Sequence, residues 1–167
     1  MIPQNAAIAA TRFGLGARPG DLAEIGRDAK GWLTAQFAKE RSSLIDDAGL
    51  PSVQEGLAYL LAQRERAARR RRQGGGVQAP SVADQQQRRR DIRQAYLREV
   101  GARTRFALAT PNPFRERMVR FWANHFSVTQ GKGIGPAIGS LEREAVRPHV
   151  GGRFIDMLRA VESLPLC

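Results

Sequence analysis

The chain has 167 residues, with 27 Lys+Arg against 16 Asp+Glu and a formal net charge of +11. With 42% hydrophobic residues it can bury a core, which excludes a wholly disordered or collagen-like chain, and no apolar run approaches the roughly 18 residues of a membrane span. The length suits a single helical domain over residues 1–167, and the lone Cys167 excludes an internal disulfide framework and a Cys-based zinc site.

The charge is unevenly placed. Of the 27 cationic residues 24 are Arg, and the stretch from Gln63 to Arg105 holds 13 Arg and 4 acids, so it carries +9 and the remainder only +2. Arg presents a planar donor fork suited to phosphate, which makes nucleic acid or an anionic surface the first partner that the charge suggests. The amino terminus shows no basic stretch followed by an apolar one, so no secretory signal is visible and the default location is cytoplasmic.

In chain order, a short helix is expected over Gln4–Thr11, ended by the glycine-rich turn from Phe13 to Gly20. Asp21 is expected to cap a stretch with Leu22 and Ile25. Asp28 is expected to cap another that places Trp32, Leu33 and Phe37 on one face, the two forming a helical hairpin. Ser52 opens a third helix with Leu57, Leu60 and Leu61 inward, running into Arg69, Arg70, Arg71 and Arg72. Gln73–Pro80, with three consecutive glycines, reads as a flexible linker. From Ser81 to Ala109 a second basic helix carries Arg88, Arg89 and Arg90 at its polar end and Ile92, Tyr96, Leu97, Val100 and Phe106 at helical spacing. An antiparallel hairpin would bring both arginine clusters near one tip.

Asn112-Pro113 is a strong start signal, an N-cap residue followed by a proline at the position where no N–H is needed. Helical spacing then sets Phe114, Met118, Phe121, Trp122 and His125 on one side, with Asn124 and Phe126 beside them, and turns Arg115, Glu116 and Arg117 mostly away. Arg115, Glu116 and Arg120 offer a polar network that needs no ligand, with Glu116 and Arg120 at the spacing of a helix ion pair. A glycine-rich connection, Gly131 to Gly135, fits neither phosphate-loop pattern and reads as an interhelix loop. A helix from Pro136 to Arg147, stopped by Pro148, and a last helix with Phe154, Met157, Leu158 and Val161 complete an all-α reading: an irregular multi-helix array with a long arginine-rich hairpin.

Three blocks carry a resemblance. The stretch from Asn112 to Phe126 (Asn-Pro-Phe-Arg-Glu-Arg-Met-Val-Arg-Phe-Trp-Ala-Asn-His-Phe), that from Glu142 to Leu158, and the turn from Phe13 to Leu22 together resemble the bacterial family named domain of unknown function 1800. At the position of Ala123 that family often has a second histidine. The resemblance implies a predominantly helical fold and no established reaction. It also implies a longer protein, with further Asn-Glu-Asn and Ala-Arg-Glu blocks, so that this chain is expected to be an amino-terminal portion. Expected partners are that carboxyl-terminal region or a protein of the domain of unknown function 1501 family, and export of full-length relatives stays open.

His125 in the middle of an apolar face needs a partner for its ring nitrogens if it is buried. One reading is a hydrogen-bonded core histidine, with no cofactor. The other is a divalent-metal ligand or general base, with His149 and a carboxylate from Glu142, Glu144 or Asp156 converging on it. The arginine clusters, Arg69 to Arg72 and Arg88 to Arg90, predict nonspecific nucleic-acid binding at low salt, with a solvated hairpin tip as the plainer explanation. Function therefore divides between a non-catalytic helical interaction module or fragment and the amino-terminal part of a metal-dependent enzyme.

Overall fold

The structure, a computed structural model, describes residues 3–38, 45, 49–72, 81–126 and 138–164. Among these residues every regular element is helical, as the sequence periodicity predicts. Helix α1 (Gln4–Ile8) runs on into a π-helical turn, Ala9–Phe13, closed by the Gly14 N–H donating to the Ala9 carbonyl at 2.9 Å. Helix α2 spans Asp21–Ile25. Its cap is Gly20, with φ of 91°, and not Asp21, because the chain turns through left-handed backbone there and glycine allows it. Asp21 instead accepts the Arg18 N–H at 2.8 Å. Asp28 caps α3 (Ala29–Ala38) as expected, its Oδ1 accepting the Gly31 N–H at 2.9 Å. In place of the simple hairpin predicted, α2 packs on α1 and its π turn, and α3 packs on that turn and on the later helix Pro113–His125, with Ala6, Ala9, Ala10 and Ile25 buried.

Helix α4 (Val53–Arg72) opens on a capping box. The Ser52 N–H donates to Glu55 Oε2 at 2.7 Å and the Glu55 N–H donates to Ser52 Oγ at 3.1 Å. These bonds, the backbone one foremost, hold the Glu55 carboxyl below its usual range. Leu57 and Leu60 are half-buried, but Leu61, predicted inward, is exposed. Helix α5 (Val82–Ala109) is capped by Ser81 Oγ, which accepts the Asp84 N–H at 3.1 Å. The early turns of α4 and the middle of α5 line one cleft of about 360 Å³, with Gly56, Tyr59, Ile92 and Arg98 in its walls. The predicted linker Gln73–Pro80 lies outside the described residues.

On α5 the inward face is not the predicted one. Ile92, Tyr96, Leu97 and Val100 are exposed, whereas Ala95, Glu99 and Ala102 are buried and Phe106 is half-buried. The inward face carries Glu99, whose carboxylate pairs with Arg143 from a distant part of the chain, an attraction that hydrophobic periodicity does not register.

Helix α6 (Pro113–His125) begins at Pro113 as predicted. The helix predicted over Pro136–Arg147 is described from α7 (Ile138–Ser140). It continues through a second π turn, Leu141–Val146, and passes Pro148 in α8 (Arg147–His149). Pro148 does not stop it, because it stands in the first positions after the π turn, where a missing N–H breaks no required bond. Helix α9 (Phe154–Glu162) follows. The larger core gathers Val53, Val119, Leu141, Val146, Met157 and Val161 from α4, α6, the second π turn and α9.

Candidate functional site

Five arginines and three glutamates meet where α5, α6 and the second π turn adjoin. Arg147 is the centre, with no exposed surface. Its guanidinium donates from both terminal nitrogens to Glu116, Nη1 to Oε2 at 2.7 Å and Nη2 to Oε1 at 2.9 Å. It also donates to Glu142 Oε1, from Nε at 2.9 Å and from Nη2 at 2.6 Å, and lies 4.8 Å from the centre of the Phe106 ring. Burial works against its charge, but the hydrogen bonds from Glu116 and the fields of Glu142 and Glu116 outweigh it, holding the group above its ordinary value.

The π turn makes this geometry available. Glu142 and Arg147 are five residues apart, which on an α-helix would point them to different sides. The i to i+5 bonding of a π turn brings them above one another. Around this centre Arg115 Nη2 donates to the Arg147 carbonyl at 3.2 Å, and Arg103 Nη2 lies 2.6 Å from Glu142 Oε2. Arg120 Nε lies 3.7 Å from Glu116 Oε1, the predicted helix pair. Arg143 pairs with Glu99 and donates to the Pro51 carbonyl at 2.5 Å. Desolvation pushes the Glu99 carboxyl up from its ordinary value, and the hydrogen bond and charge of Arg143 oppose that shift.

Two features of the surface adjoin this centre. One is a cleft of about 680 Å³ whose lining includes Arg103, Arg117, Arg120, Phe121 and Asn124, with Glu142 beneath. The other is an aromatic cluster. Trp122 meets Phe121 edge-on at 5.1 Å, lies beside Phe154 at 5.5 Å and stacks on Phe126 at 5.9 Å, while Phe121 and Phe154 remain 57% and 50% exposed.

The family model described as Protein of unknown function (DUF1800) matches residues 8–166. The chain belongs to this family. No curated protein and no solved structure matches it.

The blocks that carry the DUF1800 resemblance are those that build the network. Asn112 to Phe126 supplies Arg115, Glu116 and Arg120, and Glu142 to Leu158 supplies Glu142, Arg143 and Arg147. The amino-terminal turn joins them through the Gly14 and Thr11 carbonyls, which accept from Arg117 Nη1 at 2.9 and 3.3 Å. On α6 the expected faces are therefore exchanged in part. Arg115, Glu116 and Val119 are buried, while Phe121, Asn124 and His125, expected in the core, are exposed. Phe114 fits the prediction in part, half-buried between the edges of Phe13 and Phe37, and Met118, Trp122 and Phe126 are half-buried against the larger core. A guanidinium and a carboxylate that satisfy each other can occupy an interior that would reject either alone.

His125 is thus not a core histidine. Its ring meets Trp122 and Phe126 edge-on, at 5.6 and 5.0 Å. His149 Nδ1 is 2.7 Å from the Ala145 carbonyl, Glu142 is held by Arg147 and Arg103, Glu144 accepts the Val53 N–H at 2.9 Å, and Asp156 lies 4.0 Å from Arg153. Among the described residues no three His, Cys, Asp or Glu side chains are grouped to hold a metal. Arg72, Arg88, Arg89 and Arg90 are exposed, and Arg69, also exposed, lies 3.9 Å from Glu65. The side chains of Arg70 and Arg71 and the loop Gly131–Gly135 lie outside the described residues. No described helix is long and apolar enough to cross a membrane.

Sequence reasoning missed Arg147, Arg143, Arg103, Arg117 and Glu99. For Arg117, Arg143 and Arg147 the available cue was the charge inside the two family blocks, which an amphipathic reading assigns to solvent; Arg103 and Glu99 lie on α5, outside those blocks.

Proposed function

We propose that the chain is a non-catalytic helical interaction module of the DUF1800 family, docking a protein partner on the aromatic face formed by α6 and α9. The observation that carries this reading is the pair of half-exposed phenylalanines, Phe121 and Phe154, each in ring contact with Trp122. Large aromatic side chains held in a rigid cluster and left in water are the residue type enriched at the centre of interfaces. The carboxylates that acid–base chemistry would use support it from the other side, because Glu116 and Glu142 are engaged by arginines in structural ion pairs.

The first partner to test is a protein of the domain of unknown function 1501 family from the same genome. Titration calorimetry of the purified pair is expected to give saturable binding that Phe154→Ser weakens by about tenfold or more, the loss of one buried aromatic anchor. Wild-type affinity in both Phe154→Ser and Phe121→Ser variants that stay folded would remove the aromatic face as the docking site. An absence of binding by the folded wild-type chain would remove this partner.

A further inference from the structure

The network is unbalanced in charge, and the imbalance lies at the cleft. Among the described residues Arg103, Arg120, Arg143 and Arg147 pair with Glu99, Glu116 and Glu142, the last two shared with the fully buried Arg147, while Arg115 and Arg117 donate to backbone carbonyls. The cations that line the cleft are Arg103, Arg117 and Arg120.

Each of these three side chains is held by a protein acceptor without being covered. Arg103 is tethered to Glu142 and Arg120 to Glu116, and their side chains stay 40% and 46% exposed. Arg117, also exposed, is tethered to the carbonyls of Thr11 and Gly14. Such tethers remove part of the conformational entropy that long side chains would otherwise lose on gripping a ligand, which is the physical content of preorganisation. Most of the five N–H donors of each guanidinium are left for another acceptor. The wall beside them is apolar and aromatic, with Phe121 and Phe126, and the exposed Asn124 adds an amide donor and acceptor. The volume is that of a small-molecule site.

We propose that this cleft binds a small organic phosphate, its phosphoryl oxygens held by Arg103, Arg117 and Arg120 and its organic body laid against Phe121 and Phe126. Phosphate is favoured over carboxylate because a dianion answers more of the positive surplus, and its several oxygens accept from more than one guanidinium fork at once. The site is separate from the arginine clusters of α4 and α5, none of whose residues lines this cleft.

Titration calorimetry in ~150 mM salt, where loose surface attraction is screened, tests it with phenyl phosphate and benzoate as probes. Phenyl phosphate is expected to bind with one site per chain and at least about tenfold more tightly than benzoate, a difference of one or two charge-assisted hydrogen bonds. Arg120→Gln, at a half-exposed side chain, and Arg103→Gln are each expected to weaken it by about tenfold, with an unchanged helical circular dichroism spectrum. The triple replacement of Arg88, Arg89 and Arg90 by Gln is expected to leave it unchanged. Equal affinity for the two probes, no binding by wild type, or binding kept by Arg120→Gln and lost with the α5 cluster would each overturn the proposal. Phe121 belongs to both the cleft and the aromatic face, but no phenylalanine is replaced here and no arginine in the docking test, so failure of phosphate binding and failure of partner docking are read on different variants.

Discussion

Arg147 is the residue on which the interior depends. Its guanidinium answers two buried carboxylates at once, so removing it leaves Glu116 and Glu142 in a poorly solvated space with only the partly exposed Arg120 and Arg103 as partners. Breaking a buried pair from one side costs about 3–5 kcal/mol, a large share of the roughly 5–15 kcal/mol by which such domains are stable. Arg147→Met, which keeps much of the volume, is therefore expected to lose that amount in urea denaturation. Adding Glu116→Gln and Glu142→Gln to it is expected to restore a substantial part, because neutral amides carry a far smaller desolvation cost than uncompensated carboxylates. A loss under about 1 kcal/mol, or no recovery in the triple variant, would show that the network is not what stabilises this region.

At the level of elements, the two π turns explain why the helices sit as they do. The second aligns Glu142 with Arg147, and the first ends on Gly14, whose carbonyl anchors Arg117. A Cβ at Gly14 would lie 2.6 Å from the Ala10 carbonyl oxygen, a backbone atom that cannot swing aside. Gly14→Ala is thus expected to cost about 1–3 kcal/mol, as overpacking does, and to lower the thermal midpoint. An unchanged midpoint would mean that the turn relaxes freely. Local start signals were legible at this scale: Ser52 with Glu55, Ser81, Asp28 and Pro113 act within four residues of themselves, and each stands where its chemistry predicts. The π turns were not legible, because an extra residue in a helical turn is selected by contacts from elsewhere in the chain.

For the whole molecule, the charge separates into two kinds. Exposed arginines such as Arg72, Arg88, Arg89 and Arg90 are free to neutralise phosphates in a sequence-independent way. Duplex DNA is expected to bind in low salt with an affinity that falls steeply and is lost near ~150 mM salt, read by fluorescence anisotropy. Tight binding that survives that salt would make nucleic acid a physiological partner. The other arginines are built into the fold, and the total of +11 does not distinguish them. By itself the sequence determined the helical class, the helix starts at the capping residues and membership of the DUF1800 family, because these rest on local hydrogen bonds and on motifs contiguous in the chain. Only the tertiary structure decided which faces turn inward. Helical spacing treats every Arg and Glu as a solvent residue, and Arg115, Glu116 and Arg147 become interior residues only when partners 31 or 32 positions apart meet and discharge each other's desolvation cost.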